Sequence, residues 1–333
     1  MRARPLLLLV PLLLVLAGCT SNPDEVGRSS LDQAALDEAL AATTARIEPI
    51  PGVTDVTTNA ELSGDLSYQV SVTVLAGELE ETGTVAVIAA LVDGLGSSVF
   101  DEQQVYASIV SDTQSLSMST FALSGADIRS EVAYWYDFAD ALGAPVALQL
   151  DATPDNHRRT LTATALQGDV PWEALAEVVD SSTALHAWSL PGVEAYGVLP
   201  DADAIALIRS LDAIVPPADY GVTDFAGYTL SIEQGAPSLT VSSLSLEGVA
   251  PASSADWGWF TAAVSTAVAS GAGVGNVSYL SSATSAGGVV HLGACAGTVT
   301  ASEDDDVLLA ALAAAGVALP ADSGAGYCAV TPQ

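Results

Sequence analysis

The chain has 333 residues, and its 40 acidic side chains outnumber 8 arginines, with no lysine at all, so the formal net charge is −32. Nucleic-acid binding requires a basic patch that displaces counterions from phosphates, and this composition excludes one. The absence of lysine also excludes phosphate-loop, protein-kinase, Schiff-base and S-x-x-K chemistry. Half of the residues are hydrophobic, which is enough for a sizeable core.

The N-terminal segment has the pattern of a secretory signal. Arg2 and Arg4 give it a basic start, and residues 6–17 are almost entirely aliphatic. A permanent membrane helix needs about 20 apolar residues, so this run is too short to be one. A basic start, a short apolar run and small residues at its end predict an export signal.

The segment ends in Leu16-Ala17-Gly18-Cys19, which resembles the lipobox of bacterial lipoproteins. The resemblance implies a signal peptide over residues 1–18, cleavage before Cys19 and a lipid anchor, including palmitate, on that sulfur. Two acyl chains hold a protein stably at a membrane. The mature chain is therefore expected on the extracytoplasmic face of the plasma membrane, and a free cysteine beside an ordinary cleavage site is the alternative. The alanine-rich, lysine-free composition is similar to that of actinobacterial cell-surface proteins.

Further along the chain, helical and strand patterns alternate. Residues 19–30 are polar, with proline, glycine and serine, and are predicted to form a flexible tether. Beyond it, apolar periodicity with acidic or serine residues at the start and glycine at the end predicts helices. Pairs of alternating Thr, Val and Leu runs, joined by short polar turns, predict β-hairpins between them. The helices are expected near residues 31–46, 79–95, 126–142, 171–185, 202–214, 255–270 and 303–316.

The regular spacing of these helices indicates internal duplication. Ile50-Pro51-Gly52-Val53 and Leu190-Pro191-Gly192-Val193 each follow a predicted helix, which suggests domains of residues 31–190 and 191–333. The order of elements predicts an α+β fold of two-layer sandwiches. These contain repeated helix–strand–strand units of the ferredoxin-like βαββαβ type, with antiparallel sheets. A doubly wound parallel sheet is the alternative, disfavoured because the strands come in adjacent alternating pairs.

The cysteine count suggests one disulfide. With Cys19 lipidated, Cys295 and Cys328 form an even pair in an oxidising compartment, and we expect a bridge between them. On the chain-entropy model, such a bridge stabilises the fold by about 3–4 kcal/mol. Two free buried thiols are the alternative. A zinc site is disfavoured because zinc prefers four ligands and only His291 lies nearby in the sequence.

Three histidines are candidate general bases, but neither a G-x-S-x-G nor an H-E-x-x-H motif accompanies them. We therefore expect structural roles for all three. His157 is placed in a hairpin turn beside Arg158 and Arg159, His186 after a helix, near its C-terminal carbonyls, and His291 in an apolar strand.

No metal or cofactor is predicted. The Asx-rich turn over residues 151–157 and the acidic run over residues 302–306 offer oxygen ligands for calcium. A hairpin turn explains the first segment without a metal, and a helix N-terminus explains the second. The glycines of residues 271–276 follow a helix and lack the third glycine of a dinucleotide motif.

Two aromatic clusters on predicted helices suggest a binding surface. Successive helical residues point about 100° apart, so neighbouring aromatic residues cannot all enter one core stripe. Tyr134 and Phe138 should share a face, leaving Trp135 or Tyr136 nearer the edge. Packing between units is the alternative to a partner or glycan surface. The candidate binding residues are Trp135, Tyr136, Trp257 and Trp259.

These features predict a membrane-anchored, extracytoplasmic lipoprotein with a non-enzymatic binding or scaffolding role at the cell envelope, its partner being an envelope protein or a glycan. One alternative is an extracytoplasmic hydrolase with an unrecognised Ser/His/carboxylate site. Another is an envelope assembly factor with a hydrophobic groove. A pocket that gathers a histidine with a carboxylate and a serine would favour the hydrolase, whereas an aromatic surface without such a cluster would favour binding.

Overall fold

One mixed β-sheet with helices packed on it forms the body of the protein. The structure is a computed structural model. It describes residues 23–63, 67–111, 114–119, 121–153, 156–163, 166, 169–180, 185–216, 227–233, 235–247, 250–281, 287–291, 297–298 and 303–317.

The helices and strands follow each other in a regular order along the chain. The helices are α1 (Pro23–Ile47), α2 (Glu81–Leu95), α3 (Gly125–Leu142), α4 (Trp172–Leu175), α5 (Ala202–Asp212), α6 (Trp257–Ala269) and α7 (Glu303–Ala314). The strands are β1 (Val53–Leu62), β2 (Tyr68–Ala76), β3 (Gln104–Val110), β4 (Ser115–Met118), β5 (Ala147–Thr153), β6 (Asn156–Thr162), β7 (Leu185–Leu190), β8 (Val193–Tyr196), β9 (Gly227–Glu233), β10 (Ala236–Leu246), β11 (Gly273–Ser281), β12 (Gly287–His291) and β13 (Gly297–Thr298).

In the sheet, each strand lies beside its neighbours in the chain. Within the described ranges the order helix–strand–strand occurs six times, from α1 to β12. The two strands of each such unit pair antiparallel, as β1 does with β2. Strands joined through a helix pair parallel, as β2 does with β3. The fold is therefore mixed α/β, built on a large mixed sheet.

The structure does not confirm ferredoxin-like units with antiparallel sheets. In a split βαβ unit the helical crossover passes over one strand position, which a later strand fills. Here each crossover leads to the adjacent position, so parallel pairs alternate with antiparallel ones. Both arrangements have the same order of elements along the chain, which is why the sequence pattern did not distinguish them.

The predicted domain boundary falls in the turn between β7 and β8. Leu190 and Val193 are cross-strand partners there, so paired strands lie on both sides of the boundary. Buried residues from α1 through α7 belong to one continuous hydrophobic cluster. The division into two domains stays a prediction.

Most of the predicted helices lie where expected, and α3 shows why. Ser124 Oγ accepts the Asp127 N–H at 3.2 Å, and the Asp127 carboxylate accepts the Ser124 N–H at 3.0 Å. This reciprocal capping box starts the helix. Gly143 ends it with a φ of 69°, a left-handed conformation that suits a residue without Cβ.

Two predicted segments differ from the structure. Residues 23–30, predicted as tether, are part of α1, which begins at Pro23. Proline is favoured in the first helical turn, since its missing N–H would have no helical acceptor there. The helix predicted over residues 171–185 is reduced to α4, which ends at Leu175, and Asp180 beyond it pairs with Arg159 on β6.

The two faces of the sheet differ in character. On β2, Val70, Val72 and Val74 are buried under the helices, whereas Ser71 and Thr73 between them point to the other side and stay half-buried. We call this second side the open face. The strand registers place one row of residues on it across ten strands: Thr57, Thr73, Ser108, Ser117, Gln149, Thr160, Ala187, Tyr196, Glu233 and Ala236.

Across the described residues, none of the helices combines the length and the hydropathy required to span a bilayer.

Candidate functional site

A buried charged cluster lies between β6, α3 and the segment that follows α4. Arg159 on β6 is 0% exposed, and its guanidinium contacts the carboxylates of Glu131 and Asp180. Nη1 donates to Glu131 Oε2 at 3.0 Å, while Nη2 donates to Asp180 Oδ2. Opposing charges and hydrogen bonds of this kind are what make a buried guanidinium tolerable.

The alternation of β6 explains how an arginine comes to be buried. Arg158 and Arg159 are consecutive strand residues, so their side chains point to opposite faces. Arg158 is exposed on the open face, and Arg159 enters the helix side. Both arginines lie within the strand, not beside a turn as the sequence pattern predicts. Placing Arg158 and Arg159 in a strand would have predicted that one of them is buried and needs acidic partners.

An aromatic ring packs against the Arg159 guanidinium. Its Cζ lies 3.9 Å from the centroid of the Tyr134 ring, a cation–π arrangement. Trp188 Nε1 donates to the Tyr134 hydroxyl at 3.2 Å. Burial raises the pKa of Tyr134 above its ordinary value, although the hydrogen bond from Trp188 opposes this. Arg159 Nε has no hydrogen-bond acceptor among the described residues, so the cluster leaves one buried donor unsatisfied there.

His186 is the register partner of Arg159, belongs to the same cluster and also borders the groove described below. Its Nδ1 lies 2.9 Å from Asp180 Oδ2, and its ring packs edge-on against Trp188 at 5.5 Å between centroids. Burial and then the nearby Arg159 lower the pKa of His186, against the opposing effect of Asp180. The folded protein therefore favours the neutral imidazole more than the unfolded chain does.

The free energy of unfolding should consequently fall with acidification around His186. Because the pKa is depressed in the folded state, the stabilisation is complete above the ordinary value of 6.5 and is lost as the pH falls through the lower folded-state pKa. His186→Asn keeps an N–H donor for Asp180 and removes the titration. Urea unfolding measured between pH 5 and 8 should give the variant a shallower decline below pH 6.5. Parallel curves for the two proteins would contradict this account.

A groove of about 1170 Å³ opens on the open face, above the strands from β6 to β11. Arg158 and Tyr196 line it, with the Arg158 Cζ 5.7 Å from the centroid of the Tyr196 ring. The Tyr196 hydroxyl donates to Glu194 Oε2 at 3.2 Å, and burial, followed by the Glu194 charge, raises the pKa of Tyr196. The remaining lining residues are Leu185, His186, Gly197, Ser231, Glu233, Ala236, Pro237, Ser238, Thr240, Gly271 and Gly273.

The groove presents hydroxyl groups, one guanidinium, one carboxylate and an aromatic ring, together with the apolar Leu185 and Pro237. Ser231, Ser238 and Thr240 supply the hydroxyls, and Glu233 is exposed beside Tyr196, its register partner. Such a lining can donate to and accept from a ligand rich in hydroxyl or amide groups. These residues come from separate strands, and no local motif in the sequence marks them.

The predicted aromatic residues lie in packed positions. Trp135 is 2% exposed, and its indole N–H donates to the Val146 carbonyl at 2.9 Å. Tyr136 is half-buried and donates to the Leu79 carbonyl at 2.7 Å, so of the two it is the one nearer the edge.

On α6, Trp257 packs edge-on against Phe260 at 5.9 Å between centroids, and Trp259 Nε1 donates to Asp256 at 3.1 Å. Both tryptophans are partly buried against the core. These placements favour packing between units over a binding surface, and neither aromatic cluster lines the groove.

Other predicted sites are only partly within reach. Cys19, Cys295 and Cys328 lie outside the described residues, so lipidation and the disulfide stay predictions. His157 and His291 belong to β6 and β12, and their side chains are not among those described. His186 belongs to β7 and pairs with Asp180, rather than following a helix as predicted. The described residues contain no group of three or more His, Cys, Asp or Glu side chains suited to a metal ion.

Comparison with known proteins finds no family model, no curated protein and no solved structure that matches this chain.

Proposed function

We propose that the protein is a lipid-anchored binding protein of the extracytoplasmic membrane face and that the open-face groove receives its ligand, a glycan of the cell envelope. The observation that carries the ligand assignment is the groove lining, which combines three hydroxyl side chains with the Tyr196 ring, Arg158 and Glu233. The lipobox-like segment that ends at Cys19 supports the anchor and the location.

The lining favours a sugar polymer over a protein partner. Protein-binding surfaces concentrate large apolar anchors at their centre. This groove has one aromatic ring, that of Tyr196, and apart from Leu185 and Pro237 its other lining residues are small or polar. A sugar ring has an apolar C–H face that can pack on Tyr196, and hydroxyls at its rim that can pair with Ser231, Ser238 or Glu233. Amphipathic aromatic side chains suit such mixed contacts.

Binding should depend on the ring and on the carboxylate of the groove. The test uses the full-length lipoprotein in nanodiscs and neutral glycan fragments released enzymatically from actinobacterial cell walls. We expect Tyr196→Ala and Glu233→Gln each to weaken binding by about tenfold in calorimetric titrations, since one lost contact of about 1.4 kcal/mol has that effect.

The matched control is Glu38→Gln, which removes an exposed carboxylate on α1, away from the open face. It should bind as the original chain does, and unfolding curves would show that Tyr196→Ala is folded. Equal affinity in all four proteins, or no binding of any fragment, would contradict the proposal.

A hydrolase is the second candidate, and one observation favours it. The Asp180–His186 pair, 2.9 Å apart, adjoins a groove that also contains Ser231 and Ser238. A carboxylate that orients a histidine is the usual support of a general base. However, burial and then Arg159, which also engages Asp180, lower the pKa of His186 and weaken that base. His186 is also the register partner of the buried Arg159, on the helix side of the sheet, whereas both serines belong to the open face. Cleavage of the same fragments, detected by mass spectrometry and lost in His186→Asn, would favour the enzyme.

A further inference from the structure

The open face carries a second concavity, of about 210 Å³, on the strands from β2 to β5. Tyr106 lies in it and is 46% exposed. Ser108 Oγ donates to Thr73 Oγ1 at 3.2 Å across β2 and β3. The other lining residues include Ser71, Ser117, Ser119, Gln149 and Asp151. Like the groove, it combines an accessible tyrosine with hydroxyl groups and one carboxylate.

Hydrogen bonds hold that carboxylate in place. Ser119 Oγ donates to Asp151 Oδ1 at 2.9 Å, and Gln149 Nε2 donates to Asp151 Oδ2 at 2.7 Å. A carboxylate fixed in this way is preorganised, so a ligand that pairs with it loses little additional side-chain freedom.

The two concavities meet on the same face. In the register of β5 and β6, Asp151 lies directly opposite Arg158. Asp151 lines the second concavity, and Arg158 lines the groove. The row of open-face residues described above runs through both, although Ala187, between them in the row, is only 3% exposed.

We infer that both concavities belong to one track that binds a single extended polysaccharide across the strands, an inference that rests on the proposed function. Tyr106 is on β3 and Tyr196 on β8, five strand spacings apart, which corresponds to about 24 Å. A ligand shorter than this occupies one concavity at a time, whereas a longer one occupies both, with a gain from effective concentration.

The charge of the open face restricts the polysaccharide to one without acidic groups. On the described strands, one guanidinium, that of Arg158, faces several carboxylates. A polymer of phosphates or uronic acids would be repelled by them, because like charges placed at an interface suppress binding. The open-face carboxylates are Asp55, Glu61, Asp151, Glu194 and Glu233.

The experiment compares neutral cell-wall fragments separated into two sizes, shorter and longer than the distance between the tyrosines, on the full-length lipoprotein in nanodiscs. Long fragments should bind at least tenfold more tightly than short ones. Tyr106→Ala should remove most of this gain, while short fragments still bind the groove with their original affinity. Tyr106→Phe, which keeps the ring, should retain the gain. Acidic wall polymers of the same length should not compete.

The possible failures are distinguishable. If Tyr196→Ala weakens both sizes while Tyr106→Ala affects neither, the groove binds glycans but the extended track is wrong. The same conclusion follows if long and short fragments bind equally. If no neutral fragment binds, or if an envelope protein alone binds and Tyr196→Ala abolishes its binding, the proposed function is wrong and the track with it.

Discussion

Arg159→Met should destabilise the folded protein by about 3–5 kcal/mol, the usual cost of removing one partner from a buried ion pair. The methionine fills most of the arginine volume but leaves the carboxylates of Glu131 and Asp180 without their cation. Glu131 is 1% exposed, so water cannot replace the lost charge there. Against a typical total stability of about 5–15 kcal/mol, this loss would be evident as a large shift in a urea unfolding curve.

The size of the effect depends on burial, which a matched variant can test. Arg209 also pairs with a carboxylate, Glu173 at 2.8 Å, but both side chains are exposed. Arg209→Met should therefore leave the unfolding midpoint almost unchanged. Combining Arg159→Met with Glu131→Gln should recover part of the loss, because one stranded carboxylate is neutralised. A similar small change in Arg159→Met and Arg209→Met would refute the buried-cluster argument.

Cys19→Ser should abolish membrane attachment completely, since serine offers no thiol for the lipid. In cells fed labelled palmitate, the original chain should carry the label and sediment with membranes, whereas the variant should carry none. Stable anchoring needs two hydrophobic chains, and the variant carries none. We therefore expect no fraction of the variant to remain with the membranes. The strongly acidic chain also lacks the basic patch that would hold it at anionic lipid.

Cys295→Ser is the control that the chain itself provides. It removes a cysteine that the sequence assigns to a disulfide with Cys328, so palmitate incorporation should persist. Its thermal unfolding should instead occur at a lower temperature, as expected from loss of a bridge worth about 3–4 kcal/mol on the chain-entropy model. Label in the Cys19→Ser protein, or its loss in Cys295→Ser, would contradict the lipid assignment.

Local signals in the sequence decided the positions of most helices. Ser124 with Asp127 at one end of α3, and Gly143 at the other, act through bonds within a few residues of each other. The same holds for β2, where valines alternate with polar residues from Val70 to Val74 and so identify the face of the strand that is buried. Such features depend on the neighbouring chain alone, so a single sequence is sufficient to predict them.

The partners of Arg159 could not be predicted in this way. Glu131 and Asp180 are 28 and 21 residues from it in the chain, and they meet it only because α3 and the segment after α4 pack beside β6. The groove is a similar case. Arg158 and Thr240 line one cavity although they belong to β6 and β10, and strand order alone brings them together.

By itself, the sequence determined where most helices and hairpins form and that the strands come in pairs, and it predicts an export and lipidation signal on this acidic, lysine-free chain. The tertiary structure decided that every crossover reaches the adjacent strand, which makes the sheet mixed and places residues of ten strands in one row on the open face. The reason is physical: capping and periodicity act over a few residues, whereas the choice between adjacent strand positions depends on packing between distant segments. That packing determines which side chains share a groove.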